Sequence, residues 1–325
     1  MKTIIDPIDR DLLRQELNSD RFLRTTRKGG NEIYRVNAKN SPAVLQEIGR
    51  LRELTFRASG GGTGEEIDLD AHDFGPYAYD QLIVWSVEDQ EIIGGYRYKI
   101  CAEAKNENGA FELSTTHYFE FSDLFKNNFL PYTIELGRSW VQPNFQPNVN
   151  PKKGLFALDN IWDGLGALIR FYPQIKYFFG KVTMYPDYDR ESRDFLLQFL
   201  HHFFQDPDHL IEAFHPLDFR SSSDFTSLVS GLDFKEAFKV LNQFVRDRGT
   251  FIPPLMNIYM NLSPTMRTFD TAVNADFGAV EETAILVTID DIYLEKKERH
   301  LDFWTYNKFT ANRGLYGQFF SWFST

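Results

Sequence analysis

The sequence predicts an α/β fold with a mixed central sheet flanked by helices. Three observations lead there. A strand, Ile134 to Val141, is followed by a long helical pattern, Phe156 to Tyr172, and by a second strand, Tyr177 to Tyr185. That order requires a parallel crossover. Two pairs of apolar runs, Asp80–Val87 with Ile92–Ala102 and Phe269–Phe277 with Thr283–Ile292, read as antiparallel partners. The remaining periodic stretches carry apolar residues at helical spacing.

The 325 residues allow one large domain or two. Lys and Arg total 35 against 46 Asp and Glu, a net charge of −11. That argues against a general nucleic-acid binder and against wholesale adsorption to anionic lipid. Cys101 is the only cysteine, which excludes an intrachain disulfide and a cysteine-rich metal site. No apolar run approaches the roughly 20 residues of a membrane span, and MKTIIDPIDRDL lacks a signal-peptide core. A cytoplasmic location is the expectation, with peripheral contact at the inner face of the membrane left open. Aromatic residues reach 16%, with 31 Phe. They serve either a Phe-packed core or a channel for a long apolar ligand.

Taken in order, residues 1–31 form an N-terminal extension. A short helix is expected over Asp6 to Leu17, with Asp6 as cap and Pro7 at its first position. Arg21, Arg24, Arg27 and Lys28 read as a solvated basic face. Glu32 to Val36 is the expected first strand. Ser41 caps and Pro42 opens a helix through Val44, Leu45, Ile48, Leu51 and Leu54. Ala58 to Gly64 is a glycine-rich loop without the Lys-Ser/Thr ending of a phosphate-binding loop. The acidic run Glu65, Glu66, Asp68, Asp70 and Asp73 lacks the ligand order of a calcium loop, so no metal is assigned. Gly94-Gly95 within its strand marks a bulge or a close backbone approach. Phe119 to Phe129 is expected as a short helix. Residues 32–292 make up the main domain, with a helical insertion over about 190–250. That insertion holds helices at Asp189–Phe204 and Phe234–Arg246 and a serine-rich loop at Ser221–Ser230. Pro253 to Leu262 is a further helix, and 293–325 an aromatic tail with Trp304, Phe319, Phe320 and Trp322.

The stretch with most chemical content is Phe129 to Trp140, FLPYTIELGRSW. A bulge at Gly137 would turn Glu135 and Arg138 toward one cleft, since unbulged strand residues three apart face opposite sides. An ordinary surface ion pair is the other reading of this spacing.

Four segments together resemble a known family. They are Arg52-(x3)-Phe56-Arg57, Asp68-Leu69-Asp70-(x2)-Asp73, Ile93-Gly94-Gly95-Tyr96-Arg97 and Glu135-Leu136-Gly137-Arg138. The Pro-Pro-Leu helix and Asn274-Ala275-Asp276-Phe277-Gly278 extend the match. The chain resembles the bacterial ornithine-lipid and glycine-lipid N-acyltransferases, historically labelled hemolysin-like. These are relatives of the acyl-homoserine-lactone synthases within the GNAT-like acyltransferases. The resemblance implies a GNAT-like fold and transfer of a (3-hydroxy) fatty acyl group from a thioester to the amino group of glycine or ornithine. It implies Glu135, Arg138 and Arg97 as catalytic residues, and Arg52, Phe56, Asp68, Asp70, Asp73 and Gly137 around the substrate. No cofactor is called for beyond the acyl thioester substrate, on carrier protein or coenzyme A. The chain departs from the family at Asn144-Phe145-Gln146, where a Tyr-Arg pair often stands, so this loop offers no basic phosphate contact. It is read as lacking the His-x4-Asp motif of phospholipid acyltransferases, which leaves any second, O-linked chain to a separate O-acyltransferase.

The chemistry asked of these residues is attack by an amine on a thioester. It needs a base within hydrogen-bond reach, for which Glu135 is the candidate, and preorganised donors for the oxyanion. Arginine suits an amino-acid carboxylate, with Arg97 and Arg138 as candidates. The aspartates either hold those arginines or receive a cationic amine. No Gln/Arg-x-x-Gly-x-Gly/Ala loop opens the helix from Phe156, which favours an acyl carrier protein as donor. Docking an acidic carrier on an acidic chain needs a local basic patch, assigned to Lys152, Lys153, Lys176 and Lys181. An acyl-homoserine-lactone-synthase-like enzyme is the alternative, although no tryptophan lies between Phe56 and Asp80. A non-catalytic lipid-binding protein on the same scaffold is a third reading.

Overall fold

A computed structural model describes residues 1–219 and 223–300. Its centre is an eight-stranded sheet in the order β1-β2-β3-β4-β6-β7-β10-β9. The strands are β1 (Phe22–Thr25), β2 (Glu32–Val36), β3 (Asp80–Ser86), β4 (Glu91–Ile100), β6 (Thr133–Val141), β7 (Tyr177–Met184), β9 (Arg267–Asn274) and β10 (Val280–Thr288). Every neighbouring pair is antiparallel except β6 with β7. The mixed sheet and its one parallel crossover are thus as expected. A two-stranded sheet joins β5 (Phe119–Phe121) to β8 (Ile211–Ala213).

Helices cover both faces. On one face lie α4 (Ala157–Phe171), α5 (Arg190–Phe203), α6 (Ser223–Val229), α7 (Phe234–Asp247) and α8 (Pro254–Met260), sharing one core with Tyr96, Leu136, Phe178 and Ile285. On the other face α1 (Arg10–Glu16) and α2 (Pro42–Ala58) pack over β2 and β3. Beside them the segment from Cys101 to Leu130, with β5 and β8, packs on Phe179, Ala284 and Leu286. Two further short helices among the described residues are α3 (Pro151–Gly154) and α9 (Leu294–His300).

Several boundaries differ from expectation for physical reasons. The cap of α1 is Asp9 rather than Asp6; its carboxylate accepts from Asp11 and Leu12 N–H. β1 precedes the expected first strand, so the extension contributes to the sheet; four residues are too few to show alternation. Arg24 lies there buried rather than on a solvated face. Ser41 precedes α2 as expected but makes no capping hydrogen bond. Phe119–Phe129 is not one helix: Phe119, Phe121 and Phe125 all enter one core, which needs a strand followed by a wide turn at Phe125–Phe129. The serine-rich loop instead holds α6, because Phe225 and Val229, four apart, share a buried face. Within the stretch read as an insertion, Phe195, Leu196, Phe199 and Leu200 of α5 join the sheet's own core. Trp304, Phe319, Phe320 and Trp322 lie outside the described residues. No helix among the described residues is long and apolar enough to cross a membrane.

The glycine pair in β4 marks close approach. A Cβ on Gly95 would sit 2.2 Å from the Leu82 carbonyl oxygen, and one on Gly94 2.3 Å from that of Trp140. Gly137 has nothing within 4 Å of the same position. Gly95→Ala should therefore force β3 and β4 apart and cost about 1–3 kcal/mol, whereas Gly137→Ala should melt with the wild type. Thermal unfolding of the two variants side by side checks this.

Candidate active site

β6 and β7 are in parallel register from Thr133–Tyr177 to Leu136–Gly180, and no pairing follows. A Cβ on Gly180 would lie 2.4 Å from the Leu136 carbonyl oxygen, so only glycine fits at the last pair. Beyond it β7 stays with β10 while β6 stays with β4. The strands part beside Gly137. The bulge, however, is one residue further on. Trp140 faces Gly95 and Gly137 faces Arg97, so Arg138 and Ser139 stand opposite Tyr96 alone. The left-handed backbone belongs to Arg138, at φ 45°. A non-glycine residue there costs of order 1–3 kcal/mol and persists only where its surroundings impose it.

Those surroundings are a closed ring of six charges. Arg52 Nε and Nη1 meet Asp68 at 3.0 Å and Asp73 at 3.1 Å. Arg97 Nη1 meets Asp73 at 3.3 Å and Asp70 at 2.6 Å. Arg138 Nε meets Asp68 at 2.9 Å, and its Nη2 meets Asp70 at 3.6 Å. Each arginine bridges two aspartates and each aspartate two arginines. Asp70 and Asp73 also close their own turn: Asp73 accepts from Asp70 N–H, and Asp70 from His72 N–H. Burial pushes the Asp68 and Asp70 carboxyls up, but Arg52 and Arg138 around Asp68, and Arg97 and Arg138 around Asp70, outweigh it and hold both below the usual carboxylate range. Of the two roles open for the aspartates, they hold the arginines. Arg52, Asp68, Asp73 and Arg97 are sealed from solvent, and Phe56 packs edge-on against Phe277. Arg52, Asp68, Asp73 and Arg97 are engaged with one another, and in this arrangement they position Arg138 and Asp70. Asp70 and Arg138 keep 34% and 15% of their side-chain surface exposed. The Arg138 guanidinium lies 4.1 Å from the Phe277 ring centroid, and its Nη1 makes no hydrogen bond among the described residues.

Glu135 is also sealed. Its carboxylate accepts from Tyr79 O–H at 2.7 Å, Ser114 O–H at 2.7 Å and Thr115 N–H at 3.1 Å. Burial, and then Glu135, raise the Tyr79 phenol well above its ordinary value, so it remains a donor. With its oxygens engaged by these donors and its surface wholly covered, Glu135 is placed to pin β6 to the 79–115 segment rather than to reach an amine. The expectation of one cleft shared by Glu135 and Arg138 fails because Glu135, on the sheet face of Arg97, is sealed off by Tyr79, Ser114 and Thr115.

The cleft itself opens on the other side of the splay. It holds a cavity of about 40 Å³ lined by Gly137, Tyr96, Phe178, Val182, Leu255 and Tyr259. The Tyr96 hydroxyl is buried there without a well-formed hydrogen bond, beside Ser139 and Tyr259. Sequence reading missed these tyrosines, which look like ordinary core aromatics.

The expected basic patch is not assembled. Lys152 and Lys153 follow the end of β6, whereas Lys176 N–H bonds the Tyr132 carbonyl at its start. The two groups thus belong to opposite ends of a strand roughly 26 Å long. Lys181 is bound to Glu282 at 2.6 Å. A His-x4-Asp spacing does occur, His201 to Asp206, contrary to the sequence reading. His201 is exposed while Asp206 is bound by Arg267 at 3.0 Å, and no hydrogen bond joins the two among the described residues.

Three outcomes follow from this geometry. Arg52→Met leaves two buried carboxylates short of a partner and should cost about 3–5 kcal/mol in denaturant unfolding. Glu135→Gln should lower the melting temperature yet keep turnover per folded molecule within a few-fold; a loss above 100-fold in well-folded protein would restore Glu135 as the base. Burial, then the Arg97 charge, push the His72 imidazole down from 6.5 to about 4. The unfolded chain thus takes up this proton at higher pH than the folded chain. Stability is full above about pH 6.5 and declines toward pH 4, and the decline should be shallower in His72→Gln.

Comparison with known proteins agrees with this geometry. Residues 51–152, from α2 through α3, match the family model of the acetyltransferase (GNAT) domain. A protein of Bacteroides thetaiotaomicron described as glycine N(alpha)-acyltransferase is 50% identical over 303 residues, 93% of this chain and 90% of its own. One of Phocaeicola vulgatus with the same description is 50% identical over 304 residues, 93% of both chains. No solved structure matches. With half the residues shared over nearly the whole length, this chain belongs to the GNAT-type acyltransferases and is an acyltransferase.

Proposed function

We propose that the protein transfers a fatty acyl group from a thioester to the amino group of a small amino acid, glycine first among them. The observation that carries this reading is the splay of β6 and β7 beside the Arg138 bulge, which opens a slot lined by apolar side chains. A thioester lying along the splay puts its carbonyl against Gly137–Ser139, where the strand ladder leaves Arg138 and Ser139 unpaired. Their backbone groups and the Tyr96 hydroxyl are the donors for the tetrahedral oxyanion and the leaving sulfur. Burial raises the Tyr96 and Tyr259 phenols, so both stay protonated. The acceptor comes from the opposite face, where Arg138 offers Nη1 to its carboxylate. Glycine as acceptor rests on the description of the two relatives, which speaks of those proteins.

An acyl carrier protein is the proposed donor. Ligands in crossover units enter at the carboxyl ends of strands, and Lys152 and Lys153 stand past that end of β6 between the exposed Val149 and Leu155. Lys153 also ion-pairs with Asp89. A lipid product, contact with a membrane surface and a separate O-acyltransferase complete the proposal. Incubating purified protein with acyl carrier protein or acyl-coenzyme A and glycine, ornithine or serine tests it by mass spectrometry. N-acylglycine formed fastest from the carrier protein is expected, and no N-acyl amino acid from any pair would sink it. Lys152→Glu with Lys153→Glu should raise the Michaelis constant for the acylated carrier more at low salt than at high.

A further inference from the structure

One segment picked out by sequence is unused by the ring. Asn274 to Gly278 is the turn between β9 and β10, and its Phe277 already carries Arg138. Its Asn274 joins a second buried polar cluster. Glu282 of β10 is 4% exposed. Its Oε2 accepts from Lys181 Nζ at 2.6 Å and from Asn274 Nδ2 at 3.2 Å. Its Oε1 receives no hydrogen bond among the described residues. Asn274 Oδ1, in a side chain 4% exposed, is buried and also lacks a donor. Asn274 Oδ1 is thus a buried acceptor waiting for an N–H group, and Glu282 Oε1, on the carboxylate that Asn274 Nδ2 meets, is open to the same donor. Buried polar atoms are rarely left so, and what suits two acceptors beside a carboxylate is a cationic nitrogen with several hydrogens.

The cluster lies on the acceptor side of the splay. Lys181 follows Gly180, the last residue in register with β6, and is among the residues that line the slot. Glu282 shares the sheet face of Ala284 and Leu286, the face of Glu135 and Phe179. Tyr118 stands between: the Lys181 ammonium lies 4.2 Å from its ring centroid. Tyr118, raised to about 12 by burial and then by Glu282, also feels Arg138, as does Tyr185. Glu282 and Arg138 therefore look onto one space, a carboxylate facing a guanidinium with a free Nη1.

We propose that this space is the acceptor site, and that Glu282, held by Lys181 and Asn274, binds the ammonium of an α-amino acid and takes its proton while Arg138 binds the carboxylate. The assignment rests on the acyltransferase reading above and supplies a base where Glu135 is engaged by three donors. Glu282 removes one N–H proton; the nitrogen lone pair then bonds to the thioester carbon and the carbonyl pair moves onto oxygen. Collapse of the tetrahedral adduct breaks the carbon–sulfur bond. The adduct's second surplus proton neutralises the leaving thiolate, giving amide and thiol, and Glu282 returns its proton to solvent.

Steady-state kinetics with glycine and acyl carrier protein test this. Glu282→Gln should lose roughly 10²- to 10⁴-fold in turnover. The loss should shrink as pH rises and glycine reaches the site already deprotonated, which a purely structural role would not produce. If unpairing Lys181 unfolds that variant, Glu282→Gln with Lys181→Met removes both charges together and should give the same pH-dependent deficit. Arg138→Lys should chiefly raise the Michaelis constant for glycine, and glycinamide, which has no carboxylate, should be insensitive to that change. Turnover within twofold of wild type in folded Glu282→Gln, or a deficit constant across pH, overturns the assignment while leaving the acyltransferase reading standing. Absence of N-acylglycine with the wild-type protein overturns both.

Discussion

The ring of Arg52, Asp68, Arg138, Asp70, Arg97 and Asp73 is the interaction on which the rest depends. Its members come from α2, from the loop after it and from strands β4 and β6. It therefore ties a helix to two strands at the point where the sheet changes from antiparallel to parallel. A buried ion pair is weak evidence for stability, since desolvation offsets much of the attraction. A closed, neutral ring is different in one respect: removing any member leaves two charges of the opposite sign each one partner short. What the ring gives is position. It holds Arg138 in a left-handed conformation that no β-strand would choose, and so fixes the bulge.

The bulge and the splay are separate devices with one effect. The splay arises because β7 prefers β10 beyond Gly180, and the bulge because Arg138 turns toward Asp68. Together they leave a length of β6 edge unpaired inside a sheet, where unpaired edges are normally covered. In the function proposed above, this gap is where the acyl thioester would lie.

Much of this was legible in the sequence, but unevenly. The strand–helix–strand order around Gly137 and the hairpins gave the sheet, because alternation and crossover length are local signals. The four arginine and aspartate segments gave the members of the ring. Their roles were not legible, since spacing cannot tell a charge that meets a substrate from one that meets another charge 16 or 70 residues away. Glu135 looked like a base because it sits two residues before the glycine; its three donors, Tyr79, Ser114 and Thr115, come from segments with no motif of their own. Glu282 and Lys181 meet only because β10 pairs with β7, a long-range register that no window of sequence contains. Asn274 was singled out by resemblance alone, and its neighbour across the hairpin gave it a physical reason.

The two faces of the sheet then divide the work. The side with Leu136, Phe178, Val182 and Ile285 is apolar and roofed by α8, suited to a hydrocarbon chain. The side with Arg138, Lys181 and Glu282 is ionic and partly open, suited to a zwitterion. A fatty thioester and an amino acid share no solvent in which both are comfortable. Under the function proposed above, the parting of β6 and β7 beside Gly137 would keep them in separate environments and let them meet at one gap. On this view the acyl carbon must lie in the plane of the sheet itself. That is also where backbone N–H groups, rather than side chains, are the nearest donors, and why a bulged strand is a natural place for the chemistry.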